Sequence, residues 1–567
     1  MGAPYAEGLW RAHRHMNESA DFVMYWWDRA AEILLKPKSK LKRFGFVTTN
    51  SISQVFQRRV MEPHLDAKKP LSLVMAIPDH PWTKVTRDSA AVRIAMTVAE
   101  AGKHDGRLQE VTAEEAVDTD SPVILLNEKQ GKINSDLTVG ADVASVLPMN
   151  ANEGLSSRGM MLFGGGFIVT PQQASDLGLG RVPRLDKHIR PYLNGRDVMA
   201  RSRGVMVIDM FGLNADEVRQ NFPAVYQHLL ATVKPERDVN RDVDISRRWW
   251  LFGRTRDEIR PALANLVRYI ATVETAKHRV FQFLDVSILP DNKLVAIALS
   301  DGFALGVLSS RFHVAWAMRT GGWLGVGNDS VYVKSRCFDP FPFPAATDAQ
   351  KHAIGAIAEE LDAHRKRVLE DQPHLTLTGL YNVLGRLKAG IKPDDLDPRG
   401  RRIFDDGLVL IIKELHEKLD QAVADAYGWL ADLSEEEVLA RLVTLNKERA
   451  REENRGLVRW LRPDYQILRF GSEKEKAEQL EADFGVADAP AAKSAKPSFP
   501  GGDSEQTALV IDALIQAGGV ADAAAIATRF KQGQKVRPAV AAVLTSLYRM
   551  GLVSTADGNS FGWRRAA

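Results

Sequence analysis

The chain has 567 residues, of which 45% are hydrophobic and 26% are charged, a composition that is typical of soluble globular proteins and excludes wholesale disorder. At about 150 residues per domain, this length predicts roughly four domains. Because the net charge is only +3, nucleic-acid binding would require positive charge clustered on part of the surface. The single cysteine, Cys337, excludes an internal disulfide and a cysteine-built zinc site.

The sequence predicts a cytoplasmic protein without a membrane partner. No apolar run approaches the ~20 residues of a membrane-spanning helix. Residues 1–22 contain no apolar core of the signal-peptide type. A lone cysteine also favours a reducing compartment.

The first hundred residues alternate between helix and strand patterns. Helices are predicted at 22–34 and from about 51 to 65, each preceded by Asn or Ser residues able to cap it. Strands are predicted at 44–49, 71–77 and 92–98, and the last two are nearly continuous apolar runs that suit a sheet covered on both faces. These elements predict an α/β fold, but they make up only part of a doubly wound domain.

Composition divides the rest of the chain into four segments. They are an irregular, glycine-rich segment with Arg–aromatic clusters (116–345), a charged helical segment (346–470), a linker rich in Pro and Ala (471–504) and a small C-terminal domain (505–567). The small domain shows three helix patterns and then two short strands around Asp557-Gly558, a hairpin signal. This order predicts a winged helix.

Several segments occur in an order that resembles a known family. They are NESADFVMYWWDRAAE (17–32), RFGFVTTNSISQVF (43–56), PLSLVMAIPDHPW (70–82), AAVRIAMTV (90–98), IRPYLNGRDVM (189–199), RRWWLFGRTRDEIRPAL (247–263), RYIATVETAKHRVFQFLD (268–285) and CFDPFPFP (337–344). Together they resemble the MmeI-like DNA methyltransferases, a group related to the methylases of the BREX and DISARM phage-defence systems. The resemblance covers residues 1 to about 470, and the winged-helix segment lies outside it.

The resemblance implies both a fold and a function. Residues 1–115 would be the C-terminal part of a class I, Rossmann-like methylase domain, and 116–345 would be a mixed α/β target recognition domain. Family members transfer a methyl group from S-adenosylmethionine to adenine N6, after extruding the base from double-stranded DNA. We therefore expect a site-specific DNA adenine methyltransferase of a restriction-modification or phage-defence system. The alternative is a stand-alone DNA-binding specificity or regulatory protein, a non-catalytic remnant of such an enzyme.

Two motifs of the family are missing from this chain. No Asn-Pro-Pro-aromatic catalytic motif occurs, and the triplet Asp339-Pro340-Phe341 lacks the second proline. The glycine-rich stretch 163–167 follows the methylase strands and is interpreted as a tight turn. In the family both motifs lie upstream of the segment that begins here at Met1. We therefore expect no catalytic, cofactor-binding or metal-ligating residue in this chain, and a partner such as an upstream methylase half or another defence-system subunit.

Trp82 is the candidate base-stacking residue. It lies in the loop between two predicted strands, where the family places an aromatic ring against the extruded base, and aromatic faces suit that role. The alternative is that Trp82 covers the end of the sheet. His80 is interpreted as an ordinary loop residue.

Candidate DNA-contacting residues are basic or able to bind base edges, and they lie within 241–334. They are Arg247, Arg248, Arg254, Arg256, Lys277, Arg279, Asn328, Asp329, Ser330 and Lys334. The last four belong to a glycine-rich polar loop at 319–334. The neighbouring Trp249 and Trp250 are expected to pack in the core.

Three other features of the sequence give weaker indications of function. The acids Asp238, Asp242 and Asp244 have no histidine beside them and no ordered spacing, so a solvated charge run is predicted rather than a metal site. Cys337 is predicted to be buried and structural, which argues against methylation at a cytosine carbon. In the winged helix, Lys531, Lys535, Arg537, Arg549, Arg564 and Arg565 leave DNA binding and protein docking as open alternatives.

Overall fold

A computed structural model describes residues 3–82, 93–115, 122–324, 329–477, 479, 498–500, 502–516, 520–549, 552–555 and 559–563. The chain divides into two compact units, Met1–Phe470 and Gly471–Ala567. It is a mixed α/β protein with several sheets. Buried apolar residues form one cluster within 16–137, a second within 141–465 and a third within 499–561. Within the described residues, no helix is long and apolar enough to cross a membrane.

The first cluster is built around a five-stranded sheet. Its elements are α1 (Ala3–Ala12), α2 (Phe22–Leu35), β1 (Arg43–Thr49), α3 (Val55–Leu65), β2 (Leu71–Pro81), β3 (Arg93–Ala101), β4 (Gly106–Glu115) and β5 (Val123–Gly131). The strand order is β1-β3-β2-β4-β5. Both β1 and β2 pair antiparallel with β3, so β1 and β2 run parallel to each other. β4 pairs parallel with β2 and antiparallel with β5.

Two sequence predictions for this region need correction. The sheet has two more strands than predicted, because β4 and β5 carry many polar residues and their pairing gives no apolar run. Helix α2 follows Asp21 rather than Asn17 or Ser19 directly. The latter two lie in a turn in which the Ser19 N–H donates to Asn17 Oδ1 at 2.9 Å, so neither is available as the cap.

The second cluster begins with short strands and helices. The strands are β6 (Ser156–Arg158), β7 (Ile168–Val169), β8 (Ile189–Leu193), β9 (Met206–Ile208), β10 (Arg268–Val273), β11 (Thr275–Ala276), β12 (Phe281–Asp285), β13 (Leu289–Pro290), β14 (Leu294–Ile297), β15 (Gly322–Leu324) and β16 (Asp329–Val331). They form sheets of order β12-β10-β14-β6, β13-β8-β9-β7 and β11-β16-β15. The helices are α4 (Pro171–Asp176), α5 (Gly195–Met199), α6 (Ala215–Asn221), α7 (Pro223–Thr232), α8 (Lys234–Asp238), α9 (Val243–Arg247), α10 (Arg260–Leu263), α11 (Gly302–Ser309), α12 (Arg311–Thr320) and α13 (Lys334–Cys337).

Six longer helices complete this unit. They are α14 (Asp348–Asp371), α15 (Leu377–Lys388), α16 (Pro398–Asp406), α17 (Val409–Tyr427), α18 (Glu435–Glu453) and α19 (Pro463–Phe470). Local sequence sets their ends. Ser434 and Glu437 form a capping box at the start of α18, and Gly428, with φ +70°, ends α17 in the left-handed conformation that glycine adopts readily. All six helices lie within the segment that was predicted to be helical, 346–470.

Among the residues described from Asp503 onward, the second unit contains three α-helices and a three-stranded antiparallel sheet. Its elements are α20 (Asp503–Gln516), β17 (Val520–Asp522), α21 (Ala523–Ala527), α22 (Arg537–Arg549), β18 (Val553–Ser554) and β19 (Ser560–Trp563). The sheet order is β17-β19-β18. The predicted turn at Asp557-Gly558 lies outside the described residues, as do Arg564 and Arg565.

Candidate nucleic-acid interface

The carboxyl ends of the parallel strands β1 and β2 meet at one edge of the first sheet. Asn50 directly follows β1, and its side-chain amide donates to Asp79 Oδ1 near the end of β2 at 3.0 Å. Trp82 follows β2 directly and is 47% exposed. Ligands commonly bind where parallel strands end in an α/β sheet.

The chain around Trp82 is held by a charged network. Arg93 contacts Asp79 Oδ2 through Nε at 2.7 Å and Glu114 Oε1 through Nη2 at 2.6 Å. The hydrogen bond from Arg93 lowers the pKa of Glu114 below its ordinary value. These contacts join the ends of β2, β3 and β4, so the backbone that leads to Trp82 is fixed on the sheet.

A cleft of about 810 Å³ lies beside this edge, within the first unit. One wall comes from the segment after β1, with Ser53 and Arg58. The opposite wall comes from the second cluster, with Arg319 and Arg336, and from the end of α15, with Lys388. The cleft therefore brings together residues 53–58, residues 278–336 and the helical region.

The cleft carries an excess of positive charge. Six Arg and Lys side chains line it, against three carboxylates. The side chains of Arg319, Arg336 and Lys388 have no hydrogen-bond or ion-pair partner in the described part of the chain, and Arg319 Nε is buried without an acceptor. Burial and the nearby charge of Arg58 lower the pKa of Arg336. Cations left unpaired in a cleft favour an anionic ligand.

Asp420 is the most perturbed of the cleft carboxylates. It accepts the backbone N–H of Arg311 at 2.7 Å, and its neighbours include Lys388 and Glu417. Burial outweighs the favourable contacts and raises the pKa of Asp420 to about 6. Below that pH the cleft loses a negative charge, so its excess of positive charge increases.

We expect Asp420→Asn to raise the free energy of unfolding at pH 7 and to lose this advantage at pH 4. A carboxyl with a raised folded-state pKa opposes folding when ionised; the penalty is absent below the unfolded value of 3.8 and complete above about 6. The difference of about two units between the folded and unfolded pKa of Asp420 corresponds to a folding penalty of about 3 kcal/mol. Urea unfolding of parent and variant at pH 4, 5.5 and 7 measures this, with the exposed Asp432→Asn as control. A difference that stays constant across this range would contradict the assignment.

Four of the predicted DNA-contacting residues are exposed. Arg247 ends α9, Arg248 follows it, and Arg254 and Lys277 lie in loops. Arg256 is half-buried, and its Nε donates to the carbonyl of Gly159 at 3.1 Å. The exposed four are free to contact phosphates, while Arg256 helps to fix a loop.

The remaining predicted residues are more enclosed. Arg279 lines the cleft but is buried, and its Nη2 donates to the carbonyl and Oγ of Ser330, each at 2.9 Å. Ser330 is itself buried in β16, next to the half-buried Asp329. Lys334 Nζ pairs with Asp339 Oδ2 at 3.2 Å. Asn328 lies outside the described residues. In this arrangement Arg279 and Ser330 tie β10, β11 and β16 together.

Trp249, Trp250 and Cys337 pack against other parts of the protein. Trp249 is buried in the second cluster, which confirms the expectation of a core position, and the half-buried Trp250 donates through Nε1 to the carbonyl of Leu213 at 2.9 Å. Cys337 is fully buried, and burial raises the pKa of its thiol. A buried neutral thiol is a poor nucleophile, as predicted for a structural cysteine.

The acids considered as metal ligands have other partners. Asp238 pairs with Lys234 at 2.6 Å, and Asp242 caps α9. One group that the sequence did not single out, His15, Asp28 and Glu32, has metal-compatible spacing. However, the two oxygens of Asp28 already accept hydrogen bonds from His15 and His64, at 2.8 and 2.7 Å.

The glycine-rich turn at 163–167 packs against α7. A Cβ on Gly166 would lie 2.5 Å from Thr232 Oγ1 on α7, and His228 Nε2 bonds to the Gly166 carbonyl at 2.9 Å. Gly166 is needed for this close packing, so a structural role explains the glycine at this position.

Comparison with known proteins shows which proteins this chain is similar to. Residues 145–345 match the MmeI target recognition domain. The chain is 22% identical over 432 residues to DNA methyltransferase A of Bacillus subtilis (strain 168), covering 76% of this chain and 44% of the relative. It is similar in fold to the Type IIL restriction-modification enzyme MmeI, solved in complex with DNA, with a TM-score of 0.58, 19% identity, and coverage of 80% of this chain and 55% of that chain.

These findings define the class of the central region. Residues 145–345 form an MmeI-like target recognition domain, and the chain is distantly similar to DNA methyltransferase A. The chain spans about half the length of the relatives that it matches. Residues of this domain line the cleft together with the segments at 53–58 and 136–138 and with α15 and α17.

Proposed function

We propose that this chain supplies target recognition and the base-contacting loop of an S-adenosylmethionine-dependent DNA adenine-N6 methyltransferase of a restriction-modification or phage-defence system. The cleft with unpaired Arg319, Arg336 and Lys388 is the observation that carries the proposal. Phosphates are the natural partners of unpaired guanidinium and ammonium groups, and phosphate contacts position a protein on a duplex. Trp82 at the neighbouring strand ends would then contact the extruded base.

The first sheet supports the assignment to a methylase domain. β1 pairs with β3 on one side and has no strand on the other side among the described residues. An open edge presents unpaired backbone N–H and C=O groups that can accept a further strand. We propose that 1–115, whose sheet continues to β5 at Val123–Gly131, is the C-terminal part of a class I methylase domain. We also propose that β1 pairs with the segment that carries the cofactor loop and the catalytic asparagine. Residues 346–470 and 505–567 would be helical and winged-helix domains.

A triple variant, Arg319→Ala, Arg336→Ala and Lys388→Ala, tests the proposal. The salt slope is the steepness with which the logarithm of the binding constant falls as the logarithm of the salt concentration rises. If each cation contacts one phosphate, removing three should reduce this slope by about 2.7. The loss of affinity between 50 and 200 mM salt should then be about 40-fold smaller in the variant than in the parent. Fluorescence anisotropy with a labelled duplex measures the slope.

The matched control is Arg401→Ala, Arg402→Ala and Lys413→Ala, whose cations already pair with Asp405, Asp406 and Glu417. It removes the same charge and should leave the slope nearly unchanged. Equal slopes for the cleft variant and the parent, with an unchanged melting temperature, would place the DNA elsewhere.

The predicted exposed arginines are tested separately. We expect the double variant Arg247→Ala, Arg248→Ala to reduce the salt slope by about 1.8 if both contact phosphates. Both side chains are exposed and end or follow the short helix α9, so neither change removes packing from the core. An unchanged salt slope would show that Arg247 and Arg248 do not contact the DNA, and it would not affect the proposal for the cleft.

A non-catalytic DNA-binding protein is the second candidate function. Its support is that the sequence contains no Asn-Pro-Pro-aromatic motif. We expect titration calorimetry of the chain alone with S-adenosylmethionine to give no one-to-one binding, because a backbone cradle is needed to hold the cofactor. A clear one-to-one isotherm would contradict this. Adding a separately produced methylase segment with the missing motifs distinguishes the candidates, since only a methyltransferase would then label DNA.

A further inference from the structure

The second compact unit presents four cationic side chains on and beside α22. Lys531, Lys535, Arg537 and Arg549, here called the basic face, are all exposed. We propose that the basic face binds the phosphate backbone of duplex DNA, with α22 in the major groove. This would be a second DNA contact, separate from the cleft of the first unit, and its geometry does not depend on the proposed function of that cleft.

Charge is the first argument. No Asp or Glu occurs between residues 523 and 556, whereas this stretch contains all four cations of the basic face. Their side chains have no hydrogen bond or ion pair with any side chain that the structure describes. A stretch of 34 residues without a carboxylate is unusual in a chain that carries 75 basic and 72 acidic residues.

The helical region of the first unit shows the ordinary arrangement by contrast. On α16, Arg401 contacts Asp405 at 2.9 Å and Arg402 contacts Asp406 at 3.4 Å. On α17, Lys418 contacts Glu414 at 2.7 Å. These surface cations are neutralised by carboxylates one turn away, which is the common pattern for solvated helices. The basic face has no such partners. Its positive electrostatic potential therefore extends into solvent, where it favours binding of a polyanion.

The shape of α22 is the second argument. Val540, Leu544 and Leu547 are buried in the core of this unit. The exposed positions Ala542, Thr545 and Ser546 carry small side chains, so another surface can approach the helix backbone closely. An α-helix of this diameter fits the major groove, and α22 follows the short helix α21 after a connection of nine residues.

The spacing of the cations fits a duplex. Arg537 and Arg549 are twelve residues apart at the two ends of α22, which corresponds to about 18 Å along the helix axis. A helix in the major groove lies between the two phosphate backbones, so long side chains at its two ends can reach phosphates. Lys531 and Lys535 precede the helix and add two cations near its first turn. An acidic protein would not require this separation, so duplex DNA is favoured.

The test uses the full chain and a labelled 30-base-pair duplex of arbitrary sequence. In the variant Lys531→Gln, Lys535→Gln, Arg537→Gln and Arg549→Gln, we expect the salt slope of binding to fall by up to about 3.6, or about 0.9 for each phosphate contact. All four positions are exposed, so the melting temperature should change little. The single variant Arg549→Gln, with an expected reduction of about 0.9, provides an independent measure if the quadruple variant folds poorly.

Three outcomes decide the proposal. An unchanged slope in both basic-face variants would overturn it. Binding of poly-glutamate to the parent chain as tightly as duplex DNA, lost in the variant, would instead assign the basic face to an acidic protein. A reduced salt slope in the basic-face variant, together with an unchanged salt slope in the cleft variant, would support the second DNA contact and contradict the proposed role of the cleft. Failure of this proposal and failure of the proposed function are therefore distinguishable.

Discussion

Arg365→Ala is expected to destabilise the first unit by about 3–5 kcal/mol, because it breaks a buried ionic network that joins three elements. Arg365 on α14 is only 3% exposed. Its Nη1 donates to the Tyr381 hydroxyl on α15 at 3.0 Å, and its Nη2 donates to the carbonyl of Phe281 on β12 at 2.8 Å and to Asp362 at 3.2 Å. The alanine variant leaves these acceptors buried with fewer donors.

The same network reaches the wall of the cleft. The Tyr381 hydroxyl lies 2.8 Å from His416 Nε2 on α17, and both residues line the cleft. Burial lowers the pKa of His416 to about 3, so the imidazole is neutral and can accept a hydrogen bond from Tyr381. Loss of Arg365 should therefore disturb α15, which carries Lys388, as well as the contact between α14 and the sheet.

Hydrogen exchange followed by mass spectrometry checks this expectation by region. Protection should fall in α14, α15 and β12, and remain unchanged in α20 and α22, because these belong to the other compact unit. The control is Arg401→Ala, which breaks exposed ion pairs with Asp394 and Asp405 and should change stability little, because solvent screens exposed pairs. Equal effects of the two substitutions would show that the Arg365 network contributes nothing beyond an ordinary surface pair.

Elements with a strong local pattern could be predicted from the sequence. Continuous apolar runs predicted β2 and β3, and amphipathic spacing predicted α2 and the helical character of the segment that contains α17 and α18. The polar strands β4 and β5 escaped prediction, since their pairing depends on a long-range partner and leaves no apolar signature. Their existence follows from the sheet as a whole rather than from their own residues.

The cleft could not be predicted because its cations come from distant parts of the chain. Arg58, Arg336 and Lys388 belong to three segments, and none lies in a conspicuous basic cluster. Conversely, the cluster at 277–279 is conspicuous in the sequence, but the fold directs Arg279 inward to Ser330 and exposes Lys277. Local charge shows which residues are basic, whereas only the tertiary structure shows which of them lack partners.

Trp82→Ala is expected to weaken base capture by roughly 1–3 kcal/mol, about 5- to 150-fold, with little loss of stability. The ring is 47% exposed at the end of β2, and the backbone there is held by Asp79 and Arg93. An exposed ring on a fixed backbone can stack on a base without a large ordering cost. Because half of the ring already contacts solvent, truncation should cost about 1 kcal/mol or less of folding free energy.

A duplex with 2-aminopurine opposite an abasic position provides the readout, since an unpaired base costs little to extrude. Binding of the parent chain should quench the fluorescence by stacking, and Trp82→Ala should remove most of this quenching. Trp26→Ala is the matched control, because Trp26 is 58% exposed on α2 and is not at the strand ends. Trp316→Ala marks the behaviour of a buried ring, with an expected loss of about 3–5 kcal/mol. If Trp82→Ala instead lowers stability as Trp316→Ala does and leaves the quenching intact, then Trp82 covers the end of the sheet and does not contact a base.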